Sequence, residues 1–367
     1  MADEDYMLWC WTVNGDTIEA KDRLTVEVNG KTDIAAHFKR STYRQTFRLF
    51  EGWNWLSSYL GESIDAGNFT YASTILGHDG KSILPDGPDD GEEKHALEPG
   101  HGYKIEAAVP FVANASGKLH DLAEQPIAVA AGWNWISCPL DKESPLAAIT
   151  NATEGDFITA QEGFAEFADG RWIGTIATLV PGNGYLYKSV DAKALAIDTC
   201  RLSATPATVV ADERIDMRKY PSTMNITAII YRNEAVLDGD DWRIVAFAGN
   251  ECRGVSRMVG GRHCLTVYGN GAEPEPLSFV VENISTGDGY SVDESLAFTD
   301  DVAGSRKSPL AFTMGEWLSI DEMLADGLKL KVYTIAGTLV TNEGTRETLK
   351  RLPRGVYIIE GRKYIVR

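Results

Sequence analysis

The sequence predicts an all-β chain built from tandem β-modules: a duplicated β-unit, a β-sandwich and a small C-terminal antiparallel sheet. Three observations carry that expectation. Gly52-Trp53-Asn54-Trp55-Leu56-Ser57 returns as Gly132-Trp133-Asn134-Trp135-Ile136-Ser137, 80 positions later. Each copy is followed by a second signature, Leu97-Glu98-Pro99-Gly100-His101-Gly102-Tyr103-Lys104 and then Leu179-Val180-Pro181-Gly182-Asn183-Gly184-Tyr185-Leu186, offset by 82. Two anchors repeated in order at nearly one spacing mark a duplicated unit. The third observation is texture: 35 Gly among 367 residues, 9 Trp, and short alternating apolar runs between turn signals, which is how soluble all-β modules read.

Composition narrows the function classes. A formal charge of −18 argues against a nucleic-acid partner. No run of apolar residues is long enough to span a membrane, and the start, Met1-Ala2-Asp3-Glu4-Asp5, has neither the basic residues nor the apolar core of a signal peptide. An exported protein would therefore be represented here by a mature form or a fragment. Residues 328–367 carry nine Lys/Arg against three Asp/Glu, a net +6 against −24 for the rest, so the last segment reads as a distinct module. The expected modules are 1–44, a partial β-repeat; 45–200, the duplicated domain; 217–315, a sandwich; and 316–367, a terminal β-domain.

In chain order, the first module pairs alternating runs around Asn14-Gly15, a hairpin turn signal, with strands expected at 8–13, 24–28 and 34–38. In the duplicated unit each Gly admits the chain from a tight turn, and each Pro-Gly-x-Gly supplies another turn before a strand that opens on Tyr. In an extended strand Trp53 and Trp55 share one face. The simplest reading makes them core, because large aromatics dominate burial in small β-domains. The alternative is a sugar-stacking platform, with Trp53, Trp55, Trp133, Trp135 and Trp172 as the ligand-binding residues. In copy two Ser144-Pro145 starts a short helix and Asp169-Gly170 turns a hairpin into Arg171-Trp172-Ile173; Asp79-Gly80 does the same in copy one. Copy one also holds an acidic insertion at 86–93. A linker is expected around 204–222, where Pro206 and Pro221 interrupt the pattern.

The sandwich strands are expected at 224–230, 243–247, 264–268 and 277–281. Asp238, Asp240 and Asp241, with Glu251, offer closely spaced oxygens beside Gly239. Calcium binding is one reading, and aspartates bonding the backbone of a loop is the other. Glu251 and Arg253 also suit an internal ion pair at a strand end. Five cysteines show no metal spacing; Cys252 and Cys264 are placed to face each other across a hairpin through Gly260-Gly261. In the last module strands are expected at 329–333, 356–360 and 363–366, with turns at Ala336-Gly337 and Glu360-Gly361. A lone core of that size is marginal, so it should borrow packing from 312–320 or from the sandwich.

Several of these strings resemble known modules. Tyr6 to Phe38 is similar to the closing half of an internalin B-type repeat. The Gly-Trp-Asn-Trp anchors resemble repeats of exported surface proteins of gut and oral Gram-negative anaerobes. The string from Ala246 to Gly254, with its Glu-Cys-Arg-Gly, resembles a sandwich module of the same proteins. Val332-Tyr333 through Gly337, with Leu352-Pro353-Arg354-Gly355-Val356-Tyr357 and the basic end, resembles a type IX C-terminal sorting domain. The resemblances imply an extracellular or cell-surface protein serving adhesion or structural display, with a glycan or extracellular protein as partner; a carbohydrate-binding accessory module is the alternative. No His pair has zinc spacing, His263 and Cys264 are neighbours that face opposite ways in a strand, and no nucleophile elbow or phosphate loop is present. A non-enzymatic protein without a cofactor, calcium apart, is the expectation.

Overall fold

The computed structural model describes residues 6–19, 23–77, 80–83, 96–198, 212, 214–237, 239–249, 251–271, 274–286, 288–318, 330–334, 337–353, 355–359 and 362–366. Among them the regular structure is nearly all β, with short 3₁₀ turns and one five-residue helix. It divides into two compact units: one of Met1–Asn151, Thr178–Leu186 and Asp191–Ala204, the other of Ala152–Ala177, Tyr187–Val190 and Thr205–Arg367. The division thus passes through the second copy.

The first unit opens with a three-stranded sheet, β1 (Tyr6–Val13), β2 (Asp16–Glu19) and β3 (Ile34–Arg40), in the order β2-β1-β3. Asn14 and Gly15 both take positive φ, 51° and 92°, which gives the expected hairpin its right-handed twist. The strand expected at 24–28 does not form, and β3 lies beside β1 instead.

Copy one follows. β4 (Tyr43–Leu49) pairs with β9 (Phe111–Gly117), and β5 (Gly52–Ser57), β6 (Ala72–Leu76), β7 (Ser82–Ile83) and β8 (Gly102–Ala107) form a sheet in the order β5-β8-β6-β7. Copy two uses β10 (Gly132–Ser137), β11 (Phe157–Ala160), β12 (Gly163–Ala168), β13 (Arg171–Gly174) and β14 (Gly184–Ser189) in the order β10-β14-β11-β12-β13. The order is that of copy one with a strand added at the edge. The Asp169-Gly170 turn is present with φ 53° and 72°. The short helix after Ser144-Pro145 is a single 3₁₀ turn, Leu146–Ala148, matched in copy one by Ala66–Asn68. Of the copy-one hairpin turn only Gly80 is described; the acidic insertion and residues 204–211 and 213 of the expected linker lie outside the described residues, while Met217–Lys219 within it forms a 3₁₀ turn.

Copy one buries one face of its sheet. Leu56, Tyr103, Ile105 and Ala107 pack with Phe47, Leu49, Phe69, Ile75 and Ala113. Every second residue points the other way, so Trp53, Trp55, Lys104 and Glu106 share the opposite face. Trp53 and Trp55 lie outside this cluster, yet Trp55 is among the buried hydrophobic residues, as the simplest sequence reading has it. Only Trp55 is buried; Trp53, Trp133 and Trp135 are half-buried.

In the second unit lies the sandwich: β15 (Ser222–Arg232), β16 (Trp242–Ala248), β17 (Glu251–Val255), β18 (Arg257–Val259), β19 (Arg262–Gly269), β20 (Pro276–Asn283), β21 (Gly289–Val292) and β22 (Leu310–Leu318). Their order is β17-β16-β20-β21-β22-β15-β19-β18. β22 runs parallel to β15 through Thr313 and then pairs antiparallel with β21 from Met314, so one strand serves both sheets. Alternate residues of the facing strands, among them Ile226, Ala228, Ile244, Ala246, Val267 and Phe279, interdigitate as the core. The four expected strands all lie inside observed ones.

The opposite face of β15 is polar yet buried, because residues of β11 and β12 and the turn between them cover it. Asn225 Nδ2 donates to Thr159 Oγ1 at 2.9 Å, while Asn225 Oδ1 accepts from Thr266 Oγ1 at 2.9 Å. The Tyr268 hydroxyl donates to the Gln161 carbonyl, and the Arg306 amide to Glu166 Oε2, at 2.9 and 2.7 Å. Asn225, Tyr268 and Glu166 thus find partners, the condition for burying them without a large penalty, whereas Thr223 Oγ1 on the same face is buried without one.

The terminal sheet contains β23 (Leu330–Thr334), β24 (Leu339–Gly344), α1 (Arg346–Lys350), β25 (Gly355–Ile359) and β26 (Arg362–Val366), in the order β24-β23-β25-β26. β24 and α1 are additions to the expected strands. Gly337 at φ 82° turns β23 into β24, while Ala336, Glu360 and Gly361 lie outside the described residues. Thr345 caps α1 by accepting from the Thr348 amide. Leu330, Val332, Leu349, Tyr357 and Ile359 make a core of their own, and β22 pairs within the sandwich, not with this sheet.

Candidate functional site

The repeated motifs meet one another. The Ser57 amide donates to the Gly182 carbonyl at 2.8 Å, and the Ser137 amide donates to the Gly100 carbonyl at 3.0 Å. These are equivalent bonds with the copies exchanged. A Cβ on Gly184 would stand 2.6 Å from the Leu56 carbonyl oxygen, and one on Gly102 would stand 2.8 Å from that of Ile136. The second glycine of each Pro-Gly-x-Gly-Tyr thus lets the other copy's backbone approach, and no side chain fits there. Ser57 tightens the seam further: its Oγ donates to the Asn183 carbonyl at 2.6 Å and accepts from the Cys138 amide at 3.0 Å. Reciprocity of this kind, residue i to j and j to i, is the signature of an isologous contact.

The remaining motif letters act locally. Asn54 Oδ1 accepts from the Phe50 amide, and its Nδ2 donates to the Phe50 and Gly52 carbonyls at 2.7 and 2.8 Å. Asn134 holds Ala130 and Gly132 in the same way. The clamp closes a turn in which Gly52 and Gly132 sit at φ 85° and 95°. The Tyr103 and Tyr185 hydroxyls accept from the Glu98 and Val180 amides at 2.6 and 2.7 Å, fixing the start of each second anchor.

On the tryptophan face Lys104 lies between two indoles. Its Nζ is 4.6 Å from the Trp55 ring centre and 4.8 Å from that of Trp135, and the side chain is 4% exposed. An ammonium so far removed from water is stabilised by the electron-rich ring faces. Copy two has Leu186 at the matching position, so the two copies share one cation. Trp55 and Trp135 are consequently occupied. Trp172 belongs to the second unit, where it stands edge-on to Phe167 and Tyr187 at 5.3 and 6.0 Å. Within the first unit the structure brings Trp55 and Trp135 together on Lys104.

Of the calcium candidates, Asp238 lies outside the described residues and Asp240 is exposed. Asp241 Oδ1 accepts from Ser285 Oγ at 3.0 Å, and its carbonyl accepts from the Ile284 amide at 2.7 Å. Among the described residues no three His, Cys, Asp or Glu side chains are grouped as metal ligands. Glu251 and Arg253 form the internal pairing: Arg253 lies 3.9 Å over the Tyr220 ring and binds both Glu275 oxygens, while Glu251 accepts from the Tyr220 hydroxyl and Lys219. Cys252 and Cys264 are both free thiols; Cys264 opposes Arg257, and Cys252 opposes Phe247 on another pair of strands. Burial pushes the Cys264 thiol up to about 11 and the His263 imidazole down to about 4, so neither group is activated near neutral pH. His263 Nδ1 faces Ser256 Oγ at 3.3 Å.

Sequence reasoning missed Lys104, and with it the exposed Phe50, Tyr71 and Val109 and the Glu106 carboxylate of copy one. Isolated aromatics in turns have no periodicity to betray them. Aligning the copies at the 80 and 82 offsets is the signal that finds them, because Ala130, Asn151, Asp191 and Lys188 stand at the matching places.

No family model matches this chain, and no curated protein matches it. Among solved structures it is similar at 8% identity to the γ-CGTase from alkalophilic Bacillus clarkii, over 76% of this chain and 40% of that one, with a TM-score of 0.18. A membrane-anchored protein from Corynebacterium diphtheriae is similar at 11% identity over 74% and 50%, TM-score 0.14. The Bacillus anthracis TIE protein is similar at 12% identity over 100% and 70%, TM-score 0.17. The chain spans 40% and half of the first two. At such scores the likenesses carry no fold or function over to it.

Proposed function

We propose that this is a non-enzymatic, exported surface protein whose tandem β-modules serve adhesion or structural display. One observation supports this best: the repeated motifs are spent on docking copy to copy through reciprocal backbone contacts, which suits a scaffold whose task is to hold surfaces in place. The resemblances of the terminal motifs to a sorting domain, and the switch to net positive charge there, support an export or anchoring role for residues 328–367. No helix among the described residues is long and apolar enough to cross a membrane.

Adhesion is tested directly. Beads coated with the full chain should be retained on layers of epithelial or bacterial cells above beads coated with an unrelated acidic protein. Equal retention would count against it. Deleting 328–367 in the native host should reduce surface display; undiminished display would leave a merely structural terminal module. A second reading, carbohydrate binding, draws support from aromatic side chains that remain part-exposed, Trp53 and Trp133 among them.

A further inference from the structure

Each copy pairs a strand before its Gly-Trp-Asn-Trp motif with one after its second anchor, and only copy one makes this ribbon basic. β4 and β9 pair along their whole length, from Tyr43 opposite Gly117 to Leu49 opposite Phe111. Side chains alternate across such a ribbon. Gln45, Phe47, Leu49 and Ala113 face inward and are buried, whereas Arg44, Thr46, Arg48, Val112, Asn114 and Ser116 share the outer face and are exposed. The register sets Arg44 opposite Ser116, Thr46 opposite Asn114 and Arg48 opposite Val112. In copy two the pair matching Arg48 and Val112, at offsets of 80 and 82, is Ala128 opposite Ala194. By the same offsets Glu124 and Asp198 stand at the places of Arg44 and Ser116. The cations therefore belong to copy one alone.

The outer face is rich in donors and holds no carboxylate. Thr46 Oγ1 gives its proton to Asn114 Oδ1 at 3.0 Å, which leaves Asn114 with its amide N–H groups to offer. Among the described residues neither guanidinium has an ion-pair partner, although the chain carries 53 Asp and Glu. Glu62, at the ribbon's end, is engaged by the Lys118 amide, which donates to its Oε2 at 3.1 Å. Arg44 and Arg48 are four residues apart on one strand, about 14 Å along it, with Asn114 across from the residue midway between them.

An extended ligand with spaced carboxylates and hydroxyls between them fits such a row. A guanidinium holds a carboxylate through two parallel bonds, and an amide N–H suits a hydroxyl. A folded protein partner needs apolar anchors to bury, and this face has one, Val112. Duplex nucleic acid carries a charge every ~1.7 Å, so a chain of net charge −18 repels it. A polysaccharide with one carboxylate per disaccharide is repelled far less. We propose that the outer face of β4 and β9 binds a linear uronate-containing glycan, with Arg44 and Arg48 on its carboxylates and Asn114 on a hydroxyl between them. The proposal rests on the adhesive reading and gives it a ligand class.

The test titrates a hyaluronan oligosaccharide, whose carboxylates alternate with neutral sugars, into the full chain by calorimetry. Binding should weaken as salt rises, and the uncharged methyl ester of the same oligosaccharide should bind about tenfold more weakly or worse. Arg44→Gln and Arg48→Gln should each cost about tenfold, and the two together should abolish measurable binding. Glu124→Gln, at the matching place in copy two, should not weaken it. All three side chains are exposed, so the variants keep the fold, and their melting temperatures verify this. The site is overturned if the chain does not bind hyaluronan, binds the methyl ester equally well, or binds unchanged in the double arginine variant. Polyglutamate bound as tightly through the same arginines would overturn it in favour of an acidic peptide. Bead retention without glycan binding would sink the ribbon site and leave adhesion standing. Arginine-dependent glycan binding without retention would do the reverse, and loss of both would sink the two together.

Discussion

Replacing Gly184 by alanine probes the seam between the copies. The new methyl would meet the Leu56 carbonyl oxygen at 2.6 Å, its carbon at 3.0 Å and the Leu56 amide nitrogen at 3.1 Å. All three are backbone atoms in a paired strand, so no side chain can swing aside. Relieving the overlap requires the strands to part, and overpacking of this kind costs about 1–3 kcal/mol. Parting them also stretches the bonds from the Ser57 amide to Gly182 and from Ser57 Oγ to Asn183, now 2.8 and 2.6 Å. Such bonds contribute about 1 kcal/mol each. The expected loss is therefore about 2–5 kcal/mol, read as a lower urea midpoint. Hydrogen exchange should localise it to the Ser57 amide and its neighbours. Gly102→Ala should behave alike, and the double variant should lose less than the sum, because either methyl opens the same seam. A Gly184→Ala chain within about 0.5 kcal/mol of the parent, with Ser57 equally protected, would refute the seam.

Three further outcomes follow from particular groups. His263 is 1% exposed and its imidazole is pushed down to about 4, so the unfolded chain takes up the proton first; its contribution is fully present above pH about 6.5 and is lost as pH falls toward 4, about 3 kcal/mol in all. A urea midpoint that falls no more between pH 7 and pH 4.5 for the parent than for His263→Gln would contradict this. Asn54→Ala leaves the Phe50 amide and the Gly52 carbonyl without their clamp and should cost about 1–3 kcal/mol by thermal or urea unfolding. Lys104→Leu copies the Leu186 position and should be nearly neutral, whereas Lys104→Ala should cost about 2 kcal/mol or more by opening a gap between Trp55 and Trp135; equal stability of the two variants would count against the stacked cation.

The sequence determined what is local or periodic. The 80-residue repeat declared the duplication, and Asn14-Gly15 and Asp169-Gly170 declared their turns, because positive φ restricts the choice of residue at the turn itself. Alternation placed the sandwich strands, since every second residue of β15 had to be apolar to face a second sheet. Only the tertiary structure decided which face of the Gly-Trp-Asn-Trp strand is core. Trp53 and Trp55 look more apolar than Asn54 and Leu56, yet Leu56 is the core residue and Trp55 stacks on a lysine contributed from position 104 and faced by position 135. Likewise Asn225 and Thr227 alternate like solvent-facing residues and are buried, because Thr159, distant in sequence, covers that face and supplies a bond to Asn225. Residue type and spacing encode turn geometry and strand period directly, but which surface another strand will cover depends on contacts across long stretches of chain, and no local pattern records them.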